Sequence, residues 1–184
     1  MKVILGELIG AIKTGVIVCI VVLLVQRFVF TPVKVDGASM YPTLHDEDTV
    51  ILWEFGYQPK PFDVVVFEVA KEQYYVKRII AGPGQSILFN QDQLYIDGEL
   101  IEEPYLKDGK ELVSYNGKFT WDFTLQEVCQ FNPCDVIPEG YYLVLGDNRP
   151  RSVDSRDIGL IHQDQILGQV IWTQWPLVNF GKVE

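Results

Sequence analysis

Histidine, cysteine and positive charge are all scarce in this chain, and each shortage closes off a kind of chemistry. Among 184 residues there are two histidines and three cysteines. His45 lies in an acidic turn, His45-Asp46-Glu47-Asp48, and His162 precedes a polar stretch. Neither sits in a catalytic or ligating motif. Both read as solvated surface residues, and a triad or metal site built on imidazole has nothing to stand on. Cys19 lies in an apolar run, while Cys129 and Cys134 form a C-x4-C pair. That is not a usual zinc spacing and no second pair completes a tetrahedral site, so neither a metal nor another cofactor is expected. The pair fits either a disulfide across a Pro-containing turn in an oxidising compartment or two free buried thiols. Fifteen Lys and Arg face 25 Asp and Glu, a net charge of -10. The basic footprint needed to bind a phosphate backbone is missing, so nucleic acid is not an expected partner. Internal repeats and low-complexity tracts are absent too.

What is present is apolar. Hydrophobic residues make up 48% of the chain and aromatics 12%, enough to bury a sizeable core and far above a disordered composition. The length suits one domain of roughly 100 to 200 residues with an appendage. The appendage is at the N-terminus, where Gly15 to Val25 (GVIVCIVVLLV) carries no polar side chain and apolar character reaches back to Leu8, interrupted by Lys13 and Thr14. As a helix, Leu8 to Val25 would span about 27 Å, close to a hydrocarbon core of about 30 Å, with the Lys13 stem snorkelling to the nearer interface. A removable signal peptide and a buried core helix are the competing readings. The segment Gln26-Arg27-Phe28-Val29-Phe30-Thr31-Pro32 offers no small-residue cleavage site, which favours a retained anchor in the lipid bilayer. Charges do not orient it, since Lys2 and Lys13 before the run are balanced by Arg27 and Lys34 after it.

Beyond Thr31 the pattern has period two with frequent turn signals and no long apolar stripe at helical spacing, which predicts a mainly β domain. Strands are expected over Val33–Val35, Asp48–Trp53, Asp63–Val69, Tyr74–Ile80, Ser86–Phe89, Tyr141–Leu145 and Gly168–Trp172, with at most a short helix near Gln163 to Leu167. Asp97-Gly98 between Gln93 and Ile101 predicts a hairpin with a two-residue type I′ turn. The less regular stretch from Pro104 to Pro138 reads as loops and short strands. The expected organisation is an appendage over residues 1–30 and a β-domain over residues 31–184, with a small β insertion at about 90–138.

Three segments concentrate more chemistry than a bare β-domain needs. Asp36-Gly-Ala-Ser-Met-Tyr-Pro-Thr-Leu44 places Ser39 after a flexible Gly-Ala corner, although alone it is an ordinary turn. In Tyr75-Val-Lys-Arg-Ile-Ile80, alternation puts Lys77 and Arg78 on opposite faces of a strand, which a solvated edge strand would also explain. Gly146-Asp-Asn-Arg-Pro-Arg-Ser-Val-Asp-Ser-Arg156 is a dense polar run in which Asp154 and Arg156 could form a bidentate pair and present Ser152, and a structural loop is its plainer reading.

Together and in this order, the boxes Gly37–Leu44, Tyr75–Arg78 and Gly146–Arg156 resemble those of bacterial type I signal peptidases, over nearly the whole chain. The resemblance implies a membrane-anchored, extracytoplasmic β-domain, its N-terminus in the cytoplasm, that acts on signal-peptide-bearing preproteins with small residues at the first and third positions before the cut. It implies Ser39 as nucleophile, Lys77 as general base, Ser152 as the group orienting Lys77, and Asp154 with Arg156 as a supporting pair. Val33, Val35, Met40, Leu44, Tyr75 and Val76 match pocket positions. Some members carry a serine two positions before the nucleophile as a second oxyanion donor. Gly37 stands there in this chain, as in Gram-positive forms. A self-cleaving Ser/Lys protein is disfavoured by the apolar N-terminus and acidic balance, and an inactive membrane-tethered β-domain by the joint presence of Ser39, Lys77 and Ser152.

Lysine serves as a base only if desolvated, because its reference pKa of about 10.4 leaves well under about 1% neutral at pH 8. Lys77 is therefore expected among apolar groups with no carboxylate beside it, and Asp154 is expected to face Arg156.

Overall fold

The computed structural model of the chain describes residues 7, 10, 12–20, 30–112, 118–129 and 134–183. Residues 12–20 are helical, and Ile12, Val16, Ile17, Val18 and Ile20 along them are exposed. Among the described residues no helix is long and apolar enough to cross a membrane. The rest of the expected anchor, including Val21 to Val25 of its uninterrupted apolar run, lies outside them.

From residue 30 onward the chain is mainly β. The larger sheet contains β1 (Phe30–Lys34), β2 (Thr49–Trp53), β3 (Val64–Ala70), β4 (Gln73–Ala81), β9 (Tyr141–Leu145), β10 (Ile161–His162), β11 (Ile166–Trp175) and β12 (Gly181–Lys182). Its order is β1-β2-β11-β3-β4-β9-β10, with β12 on β11. The smaller sheet has the order β7-β6-β5-β8, from β5 (Ile87–Asn90), β6 (Gln93–Ile96), β7 (Glu99–Ile101) and β8 (Phe123–Thr124). β3 reads VVVF at its start and is buried on both faces there, as befits a strand between β11 and β4. At the β6–β7 turn Asp97 and Gly98 have φ of 53° and 82°, the left-handed pair that a type I′ turn demands.

The structure departs from expectation in its helices. The helix expected near Gln163 to Leu167 contracts to a 3-10 turn at Gln163–Gln165, because Ile166 is already paired with Phe67 as β11 runs beside β3. Short helices not expected are α1 (Lys107–Leu112), α2 (Leu125–Val128) and α3 (Ser155–Ile158). One turn of helix is too short to show a 3.6-residue period, so pattern reading passes over it. Cys129 and Cys134 are joined in a disulfide beside α2.

One apolar cluster fills the space between the sheets. It joins Ile80, Ala81, Leu143 and Leu145 of the larger sheet to Phe89, Leu94, Phe123 and Ile137 of the smaller sheet and its connections. A second cluster, of Val35, Met40, Leu44, Val50, Val64 and Val170, lies under the segment that carries Ser39.

Candidate active site

Ser39 is placed by a corner pinned from both sides. Gly37 has a φ of 88°, a conformation that side chains resist, and its N–H donates to Asp46 Oδ1 at 2.8 Å. Beyond the corner, Tyr41 N–H bonds to Ala38 O at 3.2 Å and Leu44 N–H to Met40 O at 3.0 Å. Met40 and Leu44 are buried in the apolar cluster beneath, which anchors the segment. From the opposite side, Asn148 donates its backbone N–H to Ser39 O at 3.0 Å and its Nδ2 to Ala38 O at 2.9 Å.

β4 supplies the partner. Lys77 Nζ donates to Ser39 Oγ at 2.7 Å and to Val76 O at 2.8 Å, and sits 5.1 Å from the centre of the Tyr75 ring. Only 4% of Lys77 is exposed. Burial of the ammonium lowers its pKa from 10.5 to about 8, against the opposing pull of the Asp154 and Asp147 charges. Neither carboxylate forms an ion pair with it. Asp154 instead takes Arg156 Nε and Nη2, each at 2.8 Å, and the Gly146 N–H at 3.0 Å. Asp147 takes Arg78, which follows Lys77 on the strand and points the other way, through Nε at 2.9 Å and Nη2 at 2.7 Å. Thr43 Oγ1 also donates to Asp147, at 2.5 Å.

The loop carrying Ser152 and Asp154 is packed hard against the nucleophile. A Cβ on Gly146 would stand 2.5 Å from Ser39 O and 2.2 Å from Ser152 Oγ, so only glycine fits there. The Ser152 hydroxyl is buried without a hydrogen-bond partner. The hydrogen bond by which it was expected to orient Lys77 is therefore not formed here. The two donors' worth of Lys77 contacts above go to Ser39 and Val76.

A cleft of about 550 Å³ opens over the pair. Val33, Val35, Gly37, Met40, Tyr75 and Val76 line it together with Ser39 and Lys77. Leu44 does not, being fully buried under Met40 and Val35. Arg151 and Val153 form part of the same wall, while the neighbouring Ser152 and Arg156 face a second hollow of about 410 Å³. Two roles escaped the reading of the sequence. The polar run did contain Asp147 and Asn148, but nothing local reveals that Asp147 holds Arg78 or that Asn148 clamps the backbone at Ala38 and Ser39. Those contacts span 69 to 110 residues.

A buried amine of lowered pKa bonded to a half-buried hydroxyl, at the floor of a cleft, can take a proton from that hydroxyl as it attacks. Comparisons with known proteins identify the family. The family model described as "Signal peptidase, peptidase S26" matches residues 8–175. "Signal peptidase I" of Bacillus caldolyticus is 40% identical over 169 residues, covering 90% of each chain. "Signal peptidase IB" of Staphylococcus aureus is 39% identical over 179 residues, covering 95% of this chain and 93% of that protein. The crystal structure of a signal peptidase I from Enterococcus faecalis V583 superposes with a TM-score of 0.56 at 41% identity, covering 62% of this chain and 97% of the other. With such matches running along most of its length, the chain belongs to the signal peptidase family, peptidase S26.

Proposed function

We propose that this chain is a serine endopeptidase that removes N-terminal signal peptides from secreted preproteins at A-x-A-like sites, with Ser39 as nucleophile and Lys77 as general base. The observation that carries the reading is the 2.7 Å contact between Lys77 Nζ and Ser39 Oγ in a setting that lowers the amine to about 8. At that value a useful fraction of the amine is neutral at working pH. Ser39 Oγ attacks the scissile carbonyl carbon and its proton passes to Lys77. The ammonium then gives that proton to the departing amine, which frees the mature protein and leaves the signal peptide as an ester on Ser39. Water, losing a proton to the again neutral Lys77, attacks the ester and releases the signal peptide, and the proton returns to Ser39. The developing oxyanion takes the Ser39 N–H as one donor. Gly37 N–H is committed to Asp46, so it is not the second.

Substrate enters as an extended strand. β1 is an edge of the larger sheet, and β4 pairs with β9 only from Arg78 to Ala81, which leaves backbone groups on both sides of the cleft for added pairing. Alternate small side chains then meet Val33, Val35, Met40, Tyr75 and Val76. Residues 1–30 form a single membrane anchor with a cytoplasmic N-terminus and the β-domain outside. Supporting contact with the bilayer are the exposed helical residues Ile12, Val16, Ile17, Val18 and Ile20 and the exposed Trp175, Leu177, Val178 and Phe180. Protease digestion of intact protoplasts should remove the β-domain, and protection of that domain would reverse the topology.

The deciding experiment is cleavage of a purified preprotein bearing an Ala-x-Ala site by the full chain in detergent or lipid. Wild type should cut after the second alanine, while folded Ser39→Ala and Lys77→Ala are inert. A wild type inert toward several preproteins, or a fully active variant, overturns the reading.

A further inference from the structure

The loop behind Ser39 is gripped through Arg149 by a cluster whose other members, Glu103, Tyr105, Thr120 and Phe89, lie outside the three boxes. The Arg149 side chain is completely buried, in a socket built from the smaller sheet and its connections. Arg149 Nη2 pairs with Glu103 Oε1, and Nη1 reaches Glu103 Oε2 at 3.4 Å and Thr120 Oγ1 at 3.3 Å. Tyr105 OH donates to Glu103 Oε1 at 2.7 Å, and the Phe89 ring lies 5.4 Å from the guanidinium. The remaining edge of Arg149 faces the site. Its Nε donates to Gly146 O at 3.0 Å, and Gly146 is the residue wedged against Ser39 O and Ser152. The carbonyl of Arg149 in turn accepts from Arg156 Nη2 at 2.8 Å, which ties in the partner of Asp154. Tyr105 makes a second link, since the Arg78 guanidinium lies 3.9 Å from its ring centre, one residue from Lys77.

We propose that Glu103 is a positioning residue for the reaction: its carboxylate sets the plane of the Arg149 guanidinium, and Arg149 sets the Gly146 turn that spaces Ser152 and Ser39 around Lys77. The inference rests on the Ser39 and Lys77 roles proposed above. A buried ion pair contributes little net stability compared with apolar side chains of similar volume, whereas its planar fork imposes direction. Stability alone therefore does not account for a charged pair at this place, and orientation of the loop does.

The test is steady-state cleavage of an Ala-x-Ala preprotein by the full chain, with rates referred to the folded fraction. Glu103→Gln should lower kcat by about 10- to 100-fold with KM within twofold, as displacement of reacting groups by about an ångström does. Glu102→Gln, at the exposed neighbouring position, should match wild type. The charge-free pair Glu103→Met with Arg149→Met provides a second variant should Glu103→Gln not fold, and its folded form should show the same loss of kcat. Wild-type kcat in either folded variant overturns the proposal, as does a loss confined to KM. Ser39→Ala run in parallel separates the two claims. If it is inert while Glu103→Gln is fully active, only the positioning role fails. If it is active, the nucleophile assignment fails and the positioning role with it.

Discussion

Lys77 and Arg78 are consecutive residues of β4, both almost wholly buried, and they meet that burial in opposite ways. Arg78 is neutralised by the paired oxygens of Asp147 and further held by Phe62 O at 2.8 Å. Lys77 is given a hydroxyl and a carbonyl, and both nearby carboxylates are occupied elsewhere. The uncompensated cost of a buried ammonium appears as a lowered pKa. One strand thus places a structural cation on one face and a reactive amine on the other, and what separates them is where Asp147 and Asp154 are spent.

That contrast breaks in measurable ways. The largest effect is expected from Lys77→Arg, which keeps the charge but supplies a group that never becomes neutral. Preprotein cleavage should fall by about 10⁴-fold, the upper range for loss of a general base, with the fold intact by circular dichroism. A tenth of the wild-type rate would show that the neutral amine is not needed. Arg78→Met should strike stability instead. It strands the Asp147 carboxylate, and urea unfolding should report a loss of about 3 to 5 kcal/mol, largely recovered on adding Asp147→Leu. Lys77→Met should do the reverse and stabilise the chain by up to about 3 kcal/mol at pH 7, the worth of lowering the amine from 10.5 to about 8. The unfolded chain holds that proton more tightly than the folded one. The penalty is therefore complete below pH 8 and shrinks toward pH 10.5, so the advantage of Met should fade across that window. An advantage that persists at pH 10 would contradict the burial account. The gentlest test is the wild-type pH profile. kcat/KM should rise about tenfold per unit up to about pH 8 and then level off, and a limb near pH 10 would return Lys77 to the behaviour of an exposed lysine.

The meeting of Asp154 with Arg156 was legible from the residues themselves, two apart in one polar run, whereas that of Ser39 with Lys77 was legible only through the family resemblance that the three boxes carry. The strands were legible for a different reason: Val64 to Ala70 and Gln73 to Ala81 carry their β-branched residues in runs bounded by turns. What stayed hidden depends on long-range placement. Glu103 shares no string with Arg149, 46 residues away, and a glutamate after a hairpin reads as surface until the fold buries it. α3 is one turn long, and its N-cap Asp154 was legible only as a partner of Arg156. Leu44 matched a pocket position, yet its apolar character is used beneath the cleft floor and not in the wall.

The apolar cluster shared by the two sheets limits how such a chain can change over generations. Ile80, Ala81, Leu143 and Leu145 belong to strands that bear or adjoin the reacting residues, and their cover is Phe89, Leu94, Phe123 and Ile137. Deleting the smaller sheet would leave that surface facing water, so the segment cannot be shed as a dispensable accessory. Its exposed turns can lengthen or shorten without uncovering that surface, whereas a change of volume among the side chains beneath them has to be met by one in the larger sheet.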